Sequence, residues 1–432
     1  MQLFKHQIDV LEQTKEKNRV AYYLDMGLGK TFVASEKMMD LNSKVNIVVC
    51  QKSKVSDWVQ HFEDNYGNRL VIWDATIRKN QEVVEKFCDN PTVNVCNTVI
   101  VINYELLFRR KSFQKLKDFT LILDESSMIQ NEKAKRTKFI MKMNPSNVIL
   151  LSGTCVNGKY ENLWSQCQLL GWNISKRQFW NDYIQTRLID VGGNFMIPIV
   201  TGYKNIRFLK EKLREYGAVF MKTEDVLDLP EQIETNVFVD SIPAYKRFMK
   251  HSIVEIDGQE IVGDNSLTKM LYARQICGQY NKNKLEALKE LIESTDDRLI
   301  IFYNFNMELD LIKNICRNRP VSIINGETKD LKAYEESDNA IVLIQYQAGA
   351  YGLNLQKANK IIYFTLPLSS ELFEQSKKRT HRIGQTNTCF YYYMISKDTI
   401  EEEIFATLKM RKDFTDYLFK QVVTRHGKRK EL

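Results

Sequence analysis

The stretch "LDMGLGKT", Leu24 to Thr31, follows an apolar segment and ends in Lys-Thr. Small residues between a strand and a helix let backbone N–H groups point inward at phosphate oxygens, and the helix that follows adds the positive end of its dipole. Gly27 and Gly29, on either side of Leu28, supply that close approach. Lys30 would reach the terminal phosphates, and the Thr31 hydroxyl would ligate magnesium. The strict pattern GxxxxGK[ST] has glycine where this chain has Leu24, so the run alone also fits a glycine-rich turn before a core helix.

A second element separates the two readings. "LILDESS", Leu121 to Ser127, sets Asp124 and Glu125 at the end of an apolar strand, where an open α/β sheet places its ligand. Downstream of the glycine loop, Asp124 can hold the metal ion and Glu125 can orient and deprotonate an attacking water. Phosphoryl transfer requires positioning and charge neutralisation of this kind. The next apolar run ends in "LLSGT", so Ser152 and Thr154 are hydroxyls at the same sheet edge, suited to relaying the state of the phosphate site. Local turn hydrogen bonds explain them equally well.

Working outward, "VNIVVC" (Val45 to Cys50), "TVIVINY" (Thr98 to Tyr104), "TLILDE" (Thr120 to Glu125) and "NVILLSGT" (Asn147 to Thr154) are nearly continuous apolar runs, typical of strands buried on both faces. Amphipathic stretches such as "SDWVQHFEDNYG" and "NQEVVEKFCDN" alternate with them, which predicts an α/β fold with a doubly wound parallel sheet over residues 1–225. Within it, helical spacing of Trp, Tyr, Leu and charge predicts a helical insertion over about 158–222. "VLDLPEQIE" reads as an extended connector, because proline pushes its predecessor out of helix, and opens a linker and helical segment over 226–281. After the amphipathic "NKNKLEALKELIEST", a second strand set over 282–432 comprises "RLIIFYNF", "PVSIING", "AIVLIQY", "KIIYFT" and "CFYYYMIS". The expected architecture is two α/β lobes joined by helical material.

In the second lobe, "QSKKRTHRIGQ" carries Gln375, Arg379 and Arg382, which share one face if the segment is helical. A guanidinium aimed at a γ-phosphate would stabilise transition-state charge and make hydrolysis depend on lobe closure. A solvated basic face or a nucleic-acid contact is the competing reading. In "YQAGAYGLNLQKA", Gly349 and Gly352 would let the loop approach either a nucleotide or a phosphate backbone.

Composition is consistent with this organisation. A chain of 432 residues exceeds one ordinary core. With 44% hydrophobic and 27% charged residues, no bilayer-length apolar run and a charged start, a cytoplasmic location without membrane association is expected. Eight cysteines without a CxxC pair suggest neither a zinc site nor a disulfide framework. The net charge of +8 is modest, but lysine and arginine gather in "RRKSFQKLK", "KAKRTKF", "QSKKRTHR" and "RHGKRK", as solvated faces or as patches for a polyanion.

Taken in order, the blocks "LFKHQ", "DMGLGKT", "VINYELL", "LILDESS", "LLSGT", "VLDLP", "RLIIFYNF", "AGAYGLNLQKANKIIYF" and "QSKKRTHRIGQTNTCFYYYMISKDTIEEEIF" resemble the SWI/SNF-like branch of superfamily II helicases, DNA-stimulated ATPases with two RecA-like lobes. The resemblance implies ATP and Mg2+ as cofactors and DNA, duplex or branched, as partner. It implies that Gln7 reads the adenine edge and that Lys30 and Thr31 serve phosphates and magnesium. Asp124 and Glu125 would serve metal and water, and Arg379 and Arg382 would act as fingers across the cleft, with Gln375 beside them in coupling. It also implies DNA-facing loops, with Lys52, Ser53, Asn103, Tyr104, Asn304, Gln347 and Gly349 as candidates, and places Gly352 near the nucleotide.

Three departures stand out. The family usually has DEAH or DEGH where this chain has "DESS", so Ser126 and Ser127 replace a pair that links hydrolysis to the next motif. Cys155 replaces a proline, and "QYQ" stands where Ser-Thr-Lys is usual. Because the two lobes use almost every residue, a compact bacterial or phage-type motor is expected, acting as a monomer with a protein partner directing it. An ATP-driven duplex translocase is the leading reading. Strand separation or branch migration and a nucleotide-switched DNA-binding module are the alternatives.

Overall fold

The structure is a computed structural model that describes residues 3–89, 97–153, 159–190, 196–226, 229–349, 353–382 and 384–419. The strands are, in chain order, β1 (Arg19–Leu24), β2 (Val45–Cys50), β3 (Leu70–Asp74), β4 (Asn97–Asn103), β5 (Phe119–Asp124), β6 (Asn147–Leu151), β7 (Ile184–Asp190), β8 (Met196–Tyr203) and β9 (Ala218–Met221). They continue as β10 (Gln232–Val239), β11 (Ile253–Ile256), β12 (Gln259–Val262), β13 (Leu299–Tyr303), β14 (Val321–Ile324), β15 (Lys329–Asp330), β16 (Ile341–Gln345), β17 (Lys360–Tyr363) and β18 (Cys389–Ser396). Two compact units result, the first comprising the chain up to Val226 together with the described residues from Asp413 onward, and the second the chain between them up to Lys412.

The first unit is built on a parallel sheet of order β3-β4-β2-β5-β6-β1-β9. Every residue of β2 is buried, and β1, β4, β5 and β6 are buried for all but an end residue. Strands covered by helices on both faces have no solvated side and need no alternation. One face buries Ala21, Tyr23, Ile47, Val49, Ile100, Leu121, Leu123 and Leu150 against helices. The edge strands β3 and β9 were not among the runs read from the sequence. Segment 159–222 is not wholly helical, since it includes the antiparallel hairpin β7–β8. The hairpin exposes Leu188, Met196, Ile197 and Ile199.

The second unit carries the sheet β10-β18-β17-β13-β16-β14-β15, parallel except for the short antiparallel edge strand β15. Its edge strand β10 begins at the end of the stretch read as a connector, overlapping it at Gln232–Glu234, and pairs with β18 along eight residues, from Gln232↔Cys389 to Val239↔Ser396. The tyrosine-rich β18 alternates. Cys389, Tyr391, Tyr393 and Ile395 enter one core, while Tyr392 and Met394 face the other. A small satellite core gathers Tyr245, Phe248, Ala273 and Ile276 around the hairpin β11–β12. Among the described residues no helix is long and apolar enough to cross a membrane, and the six cysteines are buried free thiols.

Candidate active site

The order β5-β6-β1 sets three strand ends side by side. Tyr22 is in register with Leu151, and Leu151 with Asp124. The chain leaves β1 into the glycine loop, β6 into Ser152 and β5 into Asp124–Glu125. All three motifs therefore share one carboxyl edge, the ligand-binding edge of an open α/β sheet.

In the glycine loop Gly27 and Gly29 have φ of 88° and 73°, a left-handed backbone that other residues adopt at a cost. A side chain at Gly27 would meet open space, whereas a Cβ at Gly29 would fall 2.1 Å from Gln7 Nε2. The close approach at Gly29 thus serves Gln7. The Gln7 side chain accepts from Phe4 N at 2.9 Å and donates to Leu28 O at 3.2 Å, which holds it buried against the loop. Lys30 opens the helix Lys30–Leu41, and its ammonium curls back to donate to the carbonyls of Leu24 (2.9 Å) and Asp25 (3.2 Å). Thr31 follows in the first turn. Asp25, which sequence reasoning passed over, pins the loop. Its carboxylate accepts from Met26 N at 2.9 Å and from the Thr223 hydroxyl at 3.0 Å.

Asp124 is half-buried, and the loss of solvent around it pushes its carboxyl up. The hydrogen bond from Trp58 and the positive charges of Lys30 and Lys54 oppose that shift. The Trp58 indole N–H donates to Asp124 Oδ2 at 2.8 Å. Glu125 sits in the left-handed region at φ 58°, and its Oε1 accepts from Ser152 Oγ at 2.6 Å and from Ser127 Oγ at 3.2 Å. Positive φ at a non-glycine residue stores strain of the kind that clusters at functional sites. The "DESS" departure acquires a geometry here: Ser127 touches the glutamate, while Ser126 donates to Gln166 Oε1 at 2.9 Å, an oxygen that also accepts from Tyr23 OH. Replacing Ser152 by alanine removes the shorter of the two hydroxyl donors to a charged acceptor. Turnover should fall by about tenfold with KM little changed, read by steady-state kinetics.

The glycine cradle, the lysine and the two carboxylates match a magnesium–triphosphate group in charge and donor type. Thr31 and Asp124 would hold the metal, which when bound neutralises phosphate charge. Thr154 and Gly352, expected in coupling and nucleotide binding, lie outside the described residues.

The candidates for DNA contact divide. Lys52 is exposed and Ser53 half-buried on the turn Lys52–Lys54 at the end of β2, and Gln347 is exposed on the short helix Tyr346–Gly349. Tyr104 is enclosed instead. It is fully buried and its hydroxyl donates to Asp124 O at 2.9 Å, so its side chain offers nothing to a DNA backbone. Asn103 is buried too, donating to Glu105 Oε2 at 2.9 Å. The Asn304 amide is taken up by Thr365 Oγ1 (2.9 Å) and Leu366 O (3.1 Å).

Beside Asn304, Glu308 is fully buried, and burial pushes its carboxyl up to about 7 against the pull of the Asn304 and Phe305 N–H groups and the Thr365 hydroxyl. Because the folded pKa exceeds the unfolded one, the folded state holds the extra proton, and stability declines as pH rises from the ordinary glutamate range through about 7. Glu308→Gln should flatten that part of the pH profile of the denaturation midpoint.

The single helical stripe expected for Gln375, Arg379 and Arg382 does not form. The helix ends at Lys377, after Gln375 has paired with Glu371 at 3.3 Å. The chain then turns through Arg379 N→Ser376 O, Thr380 N→Lys377 O and Arg382 N→Thr380 O to Gly384 at φ 94°. Side-chain anchors hold this wrap: His381 Nε2 lies 2.9 Å from Pro230 O, and Gln385 donates to Gln356 O and Ala358 O. Nor is the segment a solvated basic face. Lys377 is buried on Glu234 at 2.7 Å and over the rings of Phe373, Tyr391 and Tyr393. Arg379 is 2% exposed, its Nε has no acceptor among the described residues, and burial together with Arg382 pulls its pKa down to about 10.

A model of the SNF2-related domain matches residues 20–282, and one of the helicase conserved C-terminal domain matches residues 283–384. Similar relatives include an "uncharacterized ATP-dependent helicase" of Mycoplasma pneumoniae, 24% identical over 88% of this chain and 38% of its own length. Another is a SWI/SNF-related matrix-associated actin-dependent regulator of chromatin from Mus musculus, 26% identical over 90% of this chain and 40% of its own length. A RAD54-like DNA repair and recombination protein of Gallus gallus is 25% identical over 94% and 66%. The solved Sulfolobus solfataricus SWI2/SNF2 ATPase core in complex with dsDNA aligns with a TM-score of 0.46 and 21% identity, covering 96% of this chain and 92% of that chain. The chain spans about two-fifths of the length of the first two of these relatives. With a family model covering more than half of it, and the glycine loop and Asp124–Glu125 inside the matched region, the chain belongs to the SNF2-related family of ATPase domains.

Proposed function

We propose that this chain is a DNA-dependent ATPase that converts ATP hydrolysis into movement along duplex DNA. The observation that carries the reading is the single carboxyl edge on which the glycine loop, Asp124, Glu125 and Ser152 meet, with Ser152 Oγ 2.6 Å from the glutamate. On this reading the loop N–H groups and Lys30 grip the phosphates, Glu125 aligns and deprotonates the attacking water, and Ser152 and Ser127 hold Glu125 in its reactive orientation. Arg379 and Arg382 supply compensating positive charge from the second unit. The buried, partly unsatisfied guanidinium of Arg379 supports this role, because an adjacent anion would relieve the cost of its burial. Phosphate contacts through exposed residues such as Lys52 and Gln347 would carry little sequence information, as movement along arbitrary DNA requires.

DNA-stimulated ATPase measurements on single-stranded, duplex and branched DNA test the reading. Strong duplex stimulation that disappears in Arg379→Ala, by about 10³-fold in kcat, is expected. A rate indifferent to DNA would refute it. The hairpin β7–β8 favours a second reading, strand separation, because an arm exposing Leu188, Met196, Ile197 and Ile199 resembles the apolar wedges that unstack base pairs. Forked-duplex unwinding compared with triplex displacement distinguishes the two.

A further inference from the structure

Lys52, Ser53, Asn103 and Tyr104 were expected at DNA, yet the segments that carry them, Lys52–Tyr66 and Asn103–Leu107, each send one enclosed aromatic side chain to the carboxylate motif. Trp58, 2% exposed, donates its indole N–H to Asp124 Oδ2 at 2.8 Å. Tyr104, fully buried, donates its hydroxyl to the Asp124 carbonyl at 2.9 Å, with the Glu125 carbonyl at 3.4 Å. One bond orients the side chain proposed to hold the metal. The other holds the peptide units flanking the strained φ of Glu125.

The helix Val55–Tyr66 that carries Trp58 also braces the phosphate-binding side. His61 Nε2 lies 2.8 Å from Ser35 Oγ, which donates to Thr31 O at 2.8 Å, and Tyr66 OH donates to Glu36 Oε1 at 2.6 Å. The turn Lys52–Lys54, with exposed Lys52, leads directly into this helix. A shift of that turn on a phosphate backbone would therefore be transmitted by a rigid, packed element to both halves of the nucleotide site.

We propose that Trp58 and Tyr104 are positioning residues through which the segments Lys52–Tyr66 and Asn103–Leu107 set the orientation of Asp124 and Glu125 in response to DNA. This rests on the ATPase reading above and deepens it. Neither side chain touches the reacting atoms, since both act through groups that do. The predicted consequence is a loss in kcat and in metal response, with DNA affinity kept.

The test uses the full chain as wild type, Trp58→Phe and Tyr104→Phe, the last removing a single oxygen and leaving the packing intact. Three quantities are read: duplex DNA affinity by fluorescence anisotropy, the Mg2+ concentration that half-saturates ADP binding, and DNA-stimulated kcat. Expected are DNA affinities within twofold of wild type, a Mg2+ requirement raised about tenfold in Trp58→Phe, and stimulated kcat lowered about tenfold in both variants. Wild-type tryptophan emission should change when Mg2+ is added with ADP, and this change should persist in Tyr104→Phe but vanish in Trp58→Phe. The proposal is overturned if Tyr104→Phe keeps wild-type stimulated kcat, or if Trp58→Phe keeps the wild-type Mg2+ requirement and emission change. Wild-type protein that ignores DNA would refute the ATPase-motor reading instead, leaving the Mg2+ and emission measurements to decide whether Trp58 orients Asp124.

Discussion

Glu125→Gln lowers steady-state ATP turnover by about 10²–10⁴-fold while nucleotide still binds, the loss expected when a positioned general base is made non-basic. The amide keeps the size of the side chain, and its oxygen can still accept from Ser152 and Ser127, the two hydroxyls that hold Oε1. The backbone at φ 58° is unchanged, so the variant separates chemistry from assembly of the site. Single-turnover hydrolysis measured beside equilibrium ATP binding is the check. Near-normal turnover would remove Glu125 from the chemistry and with it the role assigned to Ser152.

Lys284→Met destabilises the second unit by about 3–5 kcal/mol, because it strands a buried carboxylate. Lys284 and Glu401 have side chains 0% and 3% exposed and meet through two bonds, of 2.6 and 2.8 Å. The lysine also lies over the Phe364 ring, and Glu401 Oε2 accepts from Ser396 N at 2.9 Å. The pair ties the helix Lys282–Glu293 to the helix that begins at Ile400, across the end of β18. Desolvating two ions costs nearly as much as their attraction returns, so replacing both partners by apolar residues should recover most of the loss. Denaturant midpoints of Lys284→Met and of the double variant Lys284→Met/Glu401→Leu provide the comparison. Glu401 belongs to "TIEEEI", part of the last of the blocks that carry the family resemblance, and the structure gives it a role in holding the second unit together.

The local signals in this chain were legible because they depend on neighbours in sequence. Continuous apolar runs announced β2, β4, β5 and β6, whose burial on both faces leaves no alternation to read, and β1 showed only as the apolar segment before the glycine loop. The glycines announced a loop of close backbone approach, and Gly27 and Gly29 adopt positive φ in it. Where neighbours did not decide, the reading failed. The segment after Lys377 has helical spacing and few helix breakers, yet it turns because His381 and Gln385 find backbone acceptors on distant segments. The residues that follow Pro230, at the end of the stretch read as an extended connector, run on into the edge strand β10 because β18 presents an open edge to them.

By itself the sequence determined which residue types stand at the ends of which strands: glycines, Lys30 and Thr31 after one, Asp124 and Glu125 after another, Ser152 after a third. Only the tertiary structure decided that these ends are neighbours, that Ser127 and Ser152 converge on Glu125, and that Trp58 reaches Asp124 across 66 residues of chain. Strand order is a property of how the helices cover the sheet, and hydrogen bonds between distant side chains follow from that order rather than from any periodicity along the chain.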